Sequence, residues 1–228
     1  MRNKSARPTA PMEVAGAPTS LRERKKFKTR EAIADMALGL FIERGFDQVT
    51  VAEIARAADV SANTIFNYFH TKEEVFFDRQ AQVEESWSRV VRERAPGESV
   101  VAALRHHLLA ALARRDPASW LNDELVAFAR VIHDSPALQA REREIGEHAR
   151  EALARTLAAE TAARPNDLRP RVVAAMVQGL YQTLFTEIRR RLLAGERADA
   201  IYPQARAATQ QAFDLLESGL ANYGVKPG

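Results

Sequence analysis

Hydrophobic residues along most of the chain recur at spacings of three and four, as on the buried face of an amphipathic helix. In the first such segment Ile33 and Phe41 fall on one face, and Gly45 can end the helix by adopting a left-handed conformation. Ser135 followed by Pro136 indicates a later helix start, because serine caps helices and proline fits their first turn. No segment alternates apolar and polar residues as a strand would, so the pattern predicts an all-α fold.

Two short helices are predicted next along the chain. Thr50 and Glu53 form a capping box at the start of the first, in which each side chain pairs with the other residue's backbone amide. Asp59 tolerates the left-handed backbone of the corner that follows. Ser61 then caps the second helix, which contains residues 63–69.

A fourth, much longer helix is predicted to begin at a second capping box, formed by Thr71 and Glu74. Phe76 and Trp87 recur along it at helical spacing. The Pro-Gly pair at residues 96–97 ends it, because proline and glycine both interrupt helices.

The last two predicted helices carry apolar or small residues over a wide surface. In the helix 172–192, Val173 and Val177 belong to one stripe, while Val172 and Met176 belong to an adjoining stripe. This width suggests burial on two sides. The final helix has a face of small and apolar residues that allows another helix to approach closely. That face consists of Ala205, Ala208, Ala212, Leu215, Leu216 and Gly219.

Positive charge is concentrated at the N-terminal end. Residues 1–30 contain nine Lys and Arg against two Glu, a net charge of +7, whereas the remainder has 24 basic and 28 acidic residues, a net charge of −4. Residues 1–20 are rich in Pro, Ala, Thr and Ser and are predicted to be a disordered leader. Attraction to a polyanion such as nucleic acid is therefore confined to this end, with a solvated tail as the alternative interpretation.

Composition excludes several classes of protein. Hydrophobic residues make up 46% and charged residues 28%, values typical of a soluble protein. No apolar run approaches the roughly 20 residues that span a bilayer. The absence of cysteine excludes disulfides, thiolate metal sites and cysteine nucleophiles. We therefore expect a cytoplasmic protein with no metal and no cofactor.

The two short helices have the layout of a helix-turn-helix, whose second helix reads the major groove of DNA. Ile65 and Phe69 are four residues apart and are predicted to pack inward. The outer face then carries amide, hydroxyl and aromatic groups suited to base edges, thymine methyls and phosphates. Its members are Asn63, Thr64, Phe66, Asn67 and Tyr68. The alternative is that the aromatic residues belong to the core and the polar ones to a solvated surface.

Residues 29–75 resemble the N-terminal domain of the TetR family of transcriptional regulators. The matching features, in the family's order and spacing, are Gly45-Phe46 after the first helix, Thr50 with "AEIA", Val60-Ser61, "TIFNYF" and Lys72-Glu73. Asp59 departs from the glycine that the family often has in the corner. The resemblance implies a dimeric DNA-binding regulator, most often a repressor that releases a palindromic operator when a small molecule binds its C-terminal domain.

The resemblance also implies individual DNA contacts. The residues that would grip phosphates are Thr50, Thr64, Tyr68 and Lys72. Those that would lie nearest the bases are Asn63, Phe66 and Asn67, and Ser61 completes the set of DNA-binding residues.

By the same resemblance, the last two helices of each subunit form a four-helix homodimer interface, and the C-terminal bundle binds the effector. The wide apolar surface of those helices points to the same interface, unless they only complete the monomer core. Candidate effector contacts, each of which could instead be plain core, are Trp87, Trp120, Phe128, His133, Met176, Tyr181 and Phe185. The chain is thus divided into a leader (1–20), a DNA-binding domain (21–75) and a ligand-binding and dimerisation domain (76–222).

Two other classes of function are weaker alternatives. An enzyme is disfavoured because the chain has no phosphate-binding glycine loop, nucleophile elbow or HExxH motif. His106 and His107 are adjacent and point to different sides of a helix, and "REREIGEHARE" is typical of a solvated charged face. A nonspecific nucleic-acid-binding helical protein is disfavoured because the positive charge is local and the body is acidic.

Overall fold

The computed structural model describes residues 20–78, 80–113 and 123–220, and within these ranges every regular element is a helix. The helices are α1 (Leu21–Arg44), α2 (Val51–Ala57), α3 (Ala62–Phe66), α4 (Lys72–Phe76), α5 (Gln80–Glu93), α6 (Val100–Ala113), α7 (Asp123–Asp134), α8 (Pro136–Glu160), α9 (Arg169–Leu193) and α10 (Ala198–Leu220). The all-α prediction is confirmed. None of the described helices is long and apolar enough to cross a membrane.

Helix α1 is defined by polar bonds at one end and a glycine at the other. The Ser20 hydroxyl accepts from the Glu23 amide, and the Glu23 carboxylate accepts from the Ser20 amide, both at 3.1 Å. Gly45 ends the helix with φ +83°, a value that favours glycine as the sequence predicts. Its ψ of 150° lies outside the left-handed helical region, so the chain leaves α1 in an extended direction.

The predicted capping box of α2 is present. The Thr50 hydroxyl accepts from the Glu53 amide at 3.3 Å, and the Glu53 carboxylate accepts from the Thr50 amide at 2.8 Å. These bonds, together with Arg44 at 2.8 Å, hold the pKa of Glu53 at about 2. At the corner after α2, Asp59 has φ +55°, the left-handed backbone expected of it.

The prediction of one long fourth helix is wrong, because the structure has two helices there. Helix α4 ends at Phe76 and α5 begins at Gln80. The ring centroids of Phe76 and Phe77 lie 4.4 and 6.2 Å from that of Phe128 on α7. Adjacent residues on a continuous helix point about 100° apart. The break therefore allows both rings to contact the same partner.

The second predicted capping box, at the start of α4, is only half formed. The Thr71 hydroxyl accepts from the Glu74 amide at 3.2 Å, as predicted. The Glu74 carboxylate, however, accepts from the amide of His70 at 2.8 Å instead of from that of Thr71. Its other oxygen is 3.8 Å from Arg141 of α8, so this carboxylate is drawn toward the C-terminal helices.

The first hydrophobic core, called the N-terminal core below, joins the short N-terminal helices to the turn between α7 and α8. Phe41, Ile54, Ile65 and Phe76 meet in it, each at most 2% exposed. The C-terminal helices contribute Val131, Ile132 and Leu138. The N-terminal unit is thereby packed directly on the body of the protein.

A second core fills the bundle of α5, α6, α8, α9 and α10. The two stripes predicted on α9 separate as expected: Val173 and Val177 are buried, whereas Val172 and Met176 are 53% and 40% exposed. The predicted face of α10 is divided between inside and outside. Ala205 and Leu216 are buried in the bundle, while Ala208 and Leu215 are exposed, because the two pairs lie roughly 60–100° apart around the helix.

We expect Glu53→Gln to lower the thermal midpoint of unfolding at neutral pH, because it removes the charged cap of α2. The pKa of Glu53 falls from an ordinary 4.5 to about 2 on folding, so its contribution is complete above about pH 4.5. That contribution is lost as the pH falls toward 2. Thermal unfolding from pH 7 to 2 should therefore show the midpoints of the wild type and the variant converging.

The control is Glu43→Gln, which removes an exposed carboxylate at the end of α1. It should leave the midpoint nearly unchanged across the same range. A Glu53→Gln variant as stable as the wild type at pH 7 would contradict a stabilising role of the cap.

Candidate DNA-binding site

Helix α3 ends at Phe66, so the prediction that it extends through residue 69 is wrong. One aliphatic anchor within it and one aromatic anchor just beyond its end hold α3 from beneath. Ile65 and Phe69 are each 1% exposed in the N-terminal core, as their spacing predicts. The outer side carries Asn63 and Asn67, both exposed, and Phe66, whose side chain is 52% exposed. An exposed phenylalanine between two amides is a surface with hydrogen-bonding groups and an apolar contact for a thymine methyl.

The flank of α3 is more enclosed. Thr64 is half-buried, and its hydroxyl lies 2.8 Å from that of Ser61. The Ser61 hydroxyl also accepts from the Thr64 amide at 3.0 Å, so Ser61 caps α3 as predicted. Tyr68 is half-buried and packs against the N-terminal core. Tyr68 therefore combines the two predicted alternatives, a core aromatic and an outward-facing side chain, since its ring packs against the core while part of the side chain remains accessible.

Thr50 and its partners lie at the entrance to the helix-turn-helix. The Thr50 hydroxyl donates its proton to the Glu53 carboxylate at 2.8 Å. That carboxylate also pairs with Arg44, so an acidic group occupies the N-terminus of α2. In this arrangement the Thr50 hydroxyl has no proton left for a phosphate, and a contact through it would require the hydroxyl to rotate.

Lys72 is turned toward the loop between α1 and α2. Its ammonium group donates to the carbonyl oxygens of Phe46 and Val49, at 2.8 and 2.9 Å, and lies 4.1 Å from the centre of the Phe46 ring. A lysine has three N–H donors, so these bonds leave one for a phosphate. The lysine therefore fixes the loop that leads into α2, in addition to any contact with DNA.

Arg30 is a functional residue that the sequence did not single out. Its guanidinium donates to the carbonyl of Tyr68 and to that of Asp78 at 3.2 Å, and it lies 4.1 Å from the centre of the Phe69 ring. It therefore ties α1 to the end of α3 and to the break between α4 and α5. The partners are 38 and 48 residues away in sequence, so no local pattern could have revealed them.

Two polar contacts connect the helix-turn-helix region to the body of the protein. The Ser135 hydroxyl, which caps α8, donates to Asp47 in the loop before α2 at 3.0 Å. Arg141 of α8 donates to the amide oxygen of Gln80, at the start of α5, at 2.8 Å. With the Phe76–Phe128 stack, these contacts couple the position of α4 to that of α8.

Family comparisons agree with this arrangement. Residues 33–78 match the family model described as bacterial regulatory proteins of the tetR family, and residues 98–221 match the model of the MftR C-terminal domain. The protein is 30% identical over 212 residues to the transcriptional regulator TcmR of Streptomyces glaucescens, covering 91% of both chains. The chain belongs to the TetR family.

Other relatives point the same way. The putative mycofactocin biosynthesis regulator MftR of Mycobacterium tuberculosis is 29% identical over 69% of this chain and 78% of its own length. Among solved structures, GusR of Salmonella enterica superposes with a TM-score of 0.54 at 17% identity, covering 85% of this chain and 96% of that one. SmeT, in a complex with triclosan, superposes with a TM-score of 0.55 at 16% identity, covering 84% and 90%. These two structures share the fold.

TetR-family proteins are transcriptional regulators with an N-terminal helix-turn-helix, and α2 and α3 lie within the matched N-terminal region. Outside this region, Arg94 is buried and pairs with Glu160 at 2.8 Å, while other charged groups pair at or near the surface. His148 contacts Glu84 at 3.2 Å, and Arg141 contacts Glu144 at 2.9 Å. Among the described residues, no group of three His, Asp or Glu is arranged to hold a metal ion.

The six candidate effector contacts that the structure describes do not come together in one place. Trp87 and Tyr181 pack edge to face in the bundle with centroids 4.8 Å apart. The others are dispersed because their helices point them elsewhere. Phe128 stacks on Phe76 in the N-terminal core, His133 and Met176 are exposed, Phe185 lies under Arg189, and Trp120 lies outside the described residues. Of the described candidates, Trp87 and Tyr181 line one cavity together, and the list of effector contacts stays a prediction.

The cavity that does contain Trp87 and Tyr181 also involves a histidine and several leucines. Its lining consists of Trp87, Leu104, His107, Leu108, Val177, Leu180, Tyr181 and Phe213. Its volume is about 10 Å³, too little for more than one water molecule. Burial raises the pKa of the Tyr181 hydroxyl, so this group stays protonated. The adjacent His106 faces solvent, which confirms that the two histidines point apart.

We expect Lys72→Met to lower the thermal midpoint of unfolding and to weaken DNA binding. The change keeps an unbranched apolar stem but leaves two carbonyls without their donor, at a cost of about 1–3 kcal/mol. Thermal unfolding and fluorescence anisotropy with labelled duplex DNA, over a range of salt concentrations, measure the two effects. Lys28→Met, at an exposed position of α1, is the control for stability. An unchanged midpoint for Lys72→Met would show that the loop contacts contribute no stability.

Proposed function

We propose that this TetR-family protein is a homodimeric repressor that binds a palindromic operator and releases it when a small apolar molecule enters the bundle. The single observation that carries the DNA-binding part is the outer face of α3. There Asn63, Phe66 and Asn67 are exposed on a helix whose opposite side is locked into the core. Phe66 gains nothing from exposure to water, and a thymine methyl or sugar would cover it.

The flank of α3 supplies the proposed phosphate contacts. Thr64 and Tyr68 stand beside the base-reading residues and retain accessible surface. Ser61, the N-cap of α3, lies beside them, and Thr50 would contact a phosphate once its hydroxyl rotates away from the Glu53 carboxylate. Lys72 would donate its remaining N–H to a phosphate of the same DNA backbone. In this arrangement the phosphate contacts position α3, and the amides select the sequence.

The outer surfaces of α9 and α10 support a homodimer. Val172 and Met176 on α9 and Leu215 on α10 are 53%, 40% and 78% exposed, although all three are apolar. Ala175, Gly179 and Ala208 are exposed near them on the same helices and allow close approach. Two copies packed by these helices would form a four-helix interface and cover the apolar side chains.

The effector site is proposed between α5, α6, α9 and α10. The cavity there is lined by three aromatic rings and several aliphatic side chains, with His107 and the Tyr181 hydroxyl as polar groups. This chemistry suits a compact aromatic molecule with one or two polar substituents. SmeT, which shares the fold, has been solved with triclosan. Because the cavity has room for about one water molecule, an effector can enter it only if lining side chains such as Trp87 and Tyr181 separate.

That separation offers a route to the DNA-binding helices. Trp87 lies on α5, and Gln80 at the start of α5 is bonded to Arg141 of α8. A shift of α5 would act on the break next to Phe76, and through the core on α3. Effector and operator would then favour different positions of α4, which is the coupling that release of DNA requires.

We expect purified protein to select from fragmented genomic DNA a short palindromic site, with half-site centres about 34 Å apart. Sequencing of the retained fragments measures this. Asn63→Ala and Asn67→Ala should change the preferred bases, since a lost bidentate contact removes about 1–3 kcal/mol of discrimination. Asn166→Ala, at an exposed asparagine far from α3 in sequence, should select the same site as the wild type. Retention of fragments that share no site would overturn the proposal.

The homodimer is tested by Met176→Glu combined with Leu215→Glu. We expect a monomer at micromolar concentrations at which the wild type sediments as a dimer, because the interface would bury four unpaired carboxylates. Ile42→Glu is a matched control, since Ile42 and Met176 are both 40% exposed and Ile42 lies on α1. Sedimentation of the double variant as a dimer would place the interface elsewhere.

A further inference from the structure

Helix α1 begins well before the part of the chain that matches the family model. The match starts at residue 33, whereas α1 starts at Leu21 and is closed there by the Ser20–Glu23 capping box. At 1.5 Å per residue, this adds about 18 Å of helix in front of the matched region. The last part of the predicted leader is therefore joined to a rigid element.

This added segment is strongly basic. Five cationic residues within it are exposed, and they are Arg22, Arg24, Lys25, Lys26 and Lys28. Glu23 is the acidic residue among them, and its carboxylate is engaged in the cap. The rest of the chain beyond residue 30 is net acidic, so the segment is a local patch of positive charge.

Arg30 fixes where this patch lies. Its guanidinium bonds the carbonyl of Tyr68 and stacks on the ring of Phe69, so α1 at this point lies against the end of the recognition-helix region. Going back along α1, Lys26 is about 6 Å and Arg22 about 12 Å farther along the axis. Phosphates of one DNA strand follow one another at about 3.4 Å along the duplex axis. The distance of about 12 Å from Arg30 to Arg22 equals the rise of roughly three to four phosphates, so the basic segment is long enough to follow the backbone from Tyr68 if α1 lies along the duplex.

We propose that residues 22–28 of α1 bind the phosphate backbone of duplex DNA flanking the site read by α3, as a second contact independent of sequence. The occupant is argued from charge: five exposed cations on a rigid helix complement a polyanion, and the site is continuous with the recognition helix. The inference rests on the proposed function for the position of the DNA. The contact adds affinity and salt dependence without changing which bases are preferred.

The test compares two variants with equal loss of charge. The first replaces Lys25, Lys26 and Lys28 by Gln, which keeps high helix propensity. The second, the control, replaces Arg143, Arg164 and Arg197, all exposed in the C-terminal part, by Gln. Affinity is measured by fluorescence anisotropy from 50 to about 300 mM salt. The probes are the selected operator, with and without about ten flanking base pairs, and a duplex of random sequence.

The first variant is expected to reduce the slope of log affinity against log salt by up to about 2.7 per protomer, on the flanked operator and the random duplex. The operator without flanks should show little change, and the control variant should match the wild type on every probe. Circular dichroism and thermal unfolding check that both variants fold.

The outcomes separate the two proposals. A reduced slope on random duplex when no shared operator is selected would support the basic contact and overturn the proposed regulator function. Slopes unchanged by the first variant on all flanked and random duplexes would overturn the basic contact, whatever the operator result. Binding of the segment to phosphatidylglycerol vesicles with unchanged DNA slopes would assign it to lipid and also overturn the contact.

Discussion

The burial of the Phe76 side chain is the constraint on which the rest of the structure depends. Its ring is 2% exposed and contacts Phe41 and Phe46 from the N-terminal helices and Phe128 from α7, at centroid distances of 5.9, 6.1 and 4.4 Å. Aromatic rings bury a large apolar area and prefer tilted or offset contacts. One side chain thus belongs both to the unit that carries α3 and to the helices behind it. The break between α4 and α5 follows, since Phe77 reaches the same partner.

Around this core, polar side chains near α2 and α3 are either bonded to helix ends or exposed to solvent. Glu53 and Ser61 form hydrogen bonds at the N-terminal ends of α2 and α3. Lys72 forms hydrogen bonds to the loop before α2. Asn63 on α3 and Asn67 at its C-terminal cap remain exposed. Some polar side chains are bonded and others exposed because backbone N–H and C=O groups at helix ends lack partners within the helix. Nearby side chains provide those partners. The exposed amides of Asn63 and Asn67 are therefore carried by a backbone whose helix ends are fixed by side-chain hydrogen bonds.

The bundle interior is in a closed state. Trp87 and Tyr181 fill the space between α5 and α9, and the cavity beside them has room for about one water molecule. Close packing of this kind transmits displacement, because a guest cannot enter without moving a helix. Arg141, Ser135 and the Phe76–Phe128 stack then join α8 and α7 to the DNA-binding end. The bundle interior and the helix-turn-helix end are thus parts of one packed structure.

The sequence by itself determined the helical fold, the caps at Thr50 and Ser61, the left-handed corner at Asp59 and the inward residues Ile65 and Phe69. Each of these depends on residues a few positions apart, so short-range periodicity and backbone chemistry are sufficient. Only the tertiary structure decided the break after Phe76, the orientation of the Lys72 ammonium, the bond from Arg30 to Tyr68 and the dispersal of the six described effector candidates. These depend on which distant helices meet, and a side chain's partners there follow from packing that no local pattern encodes.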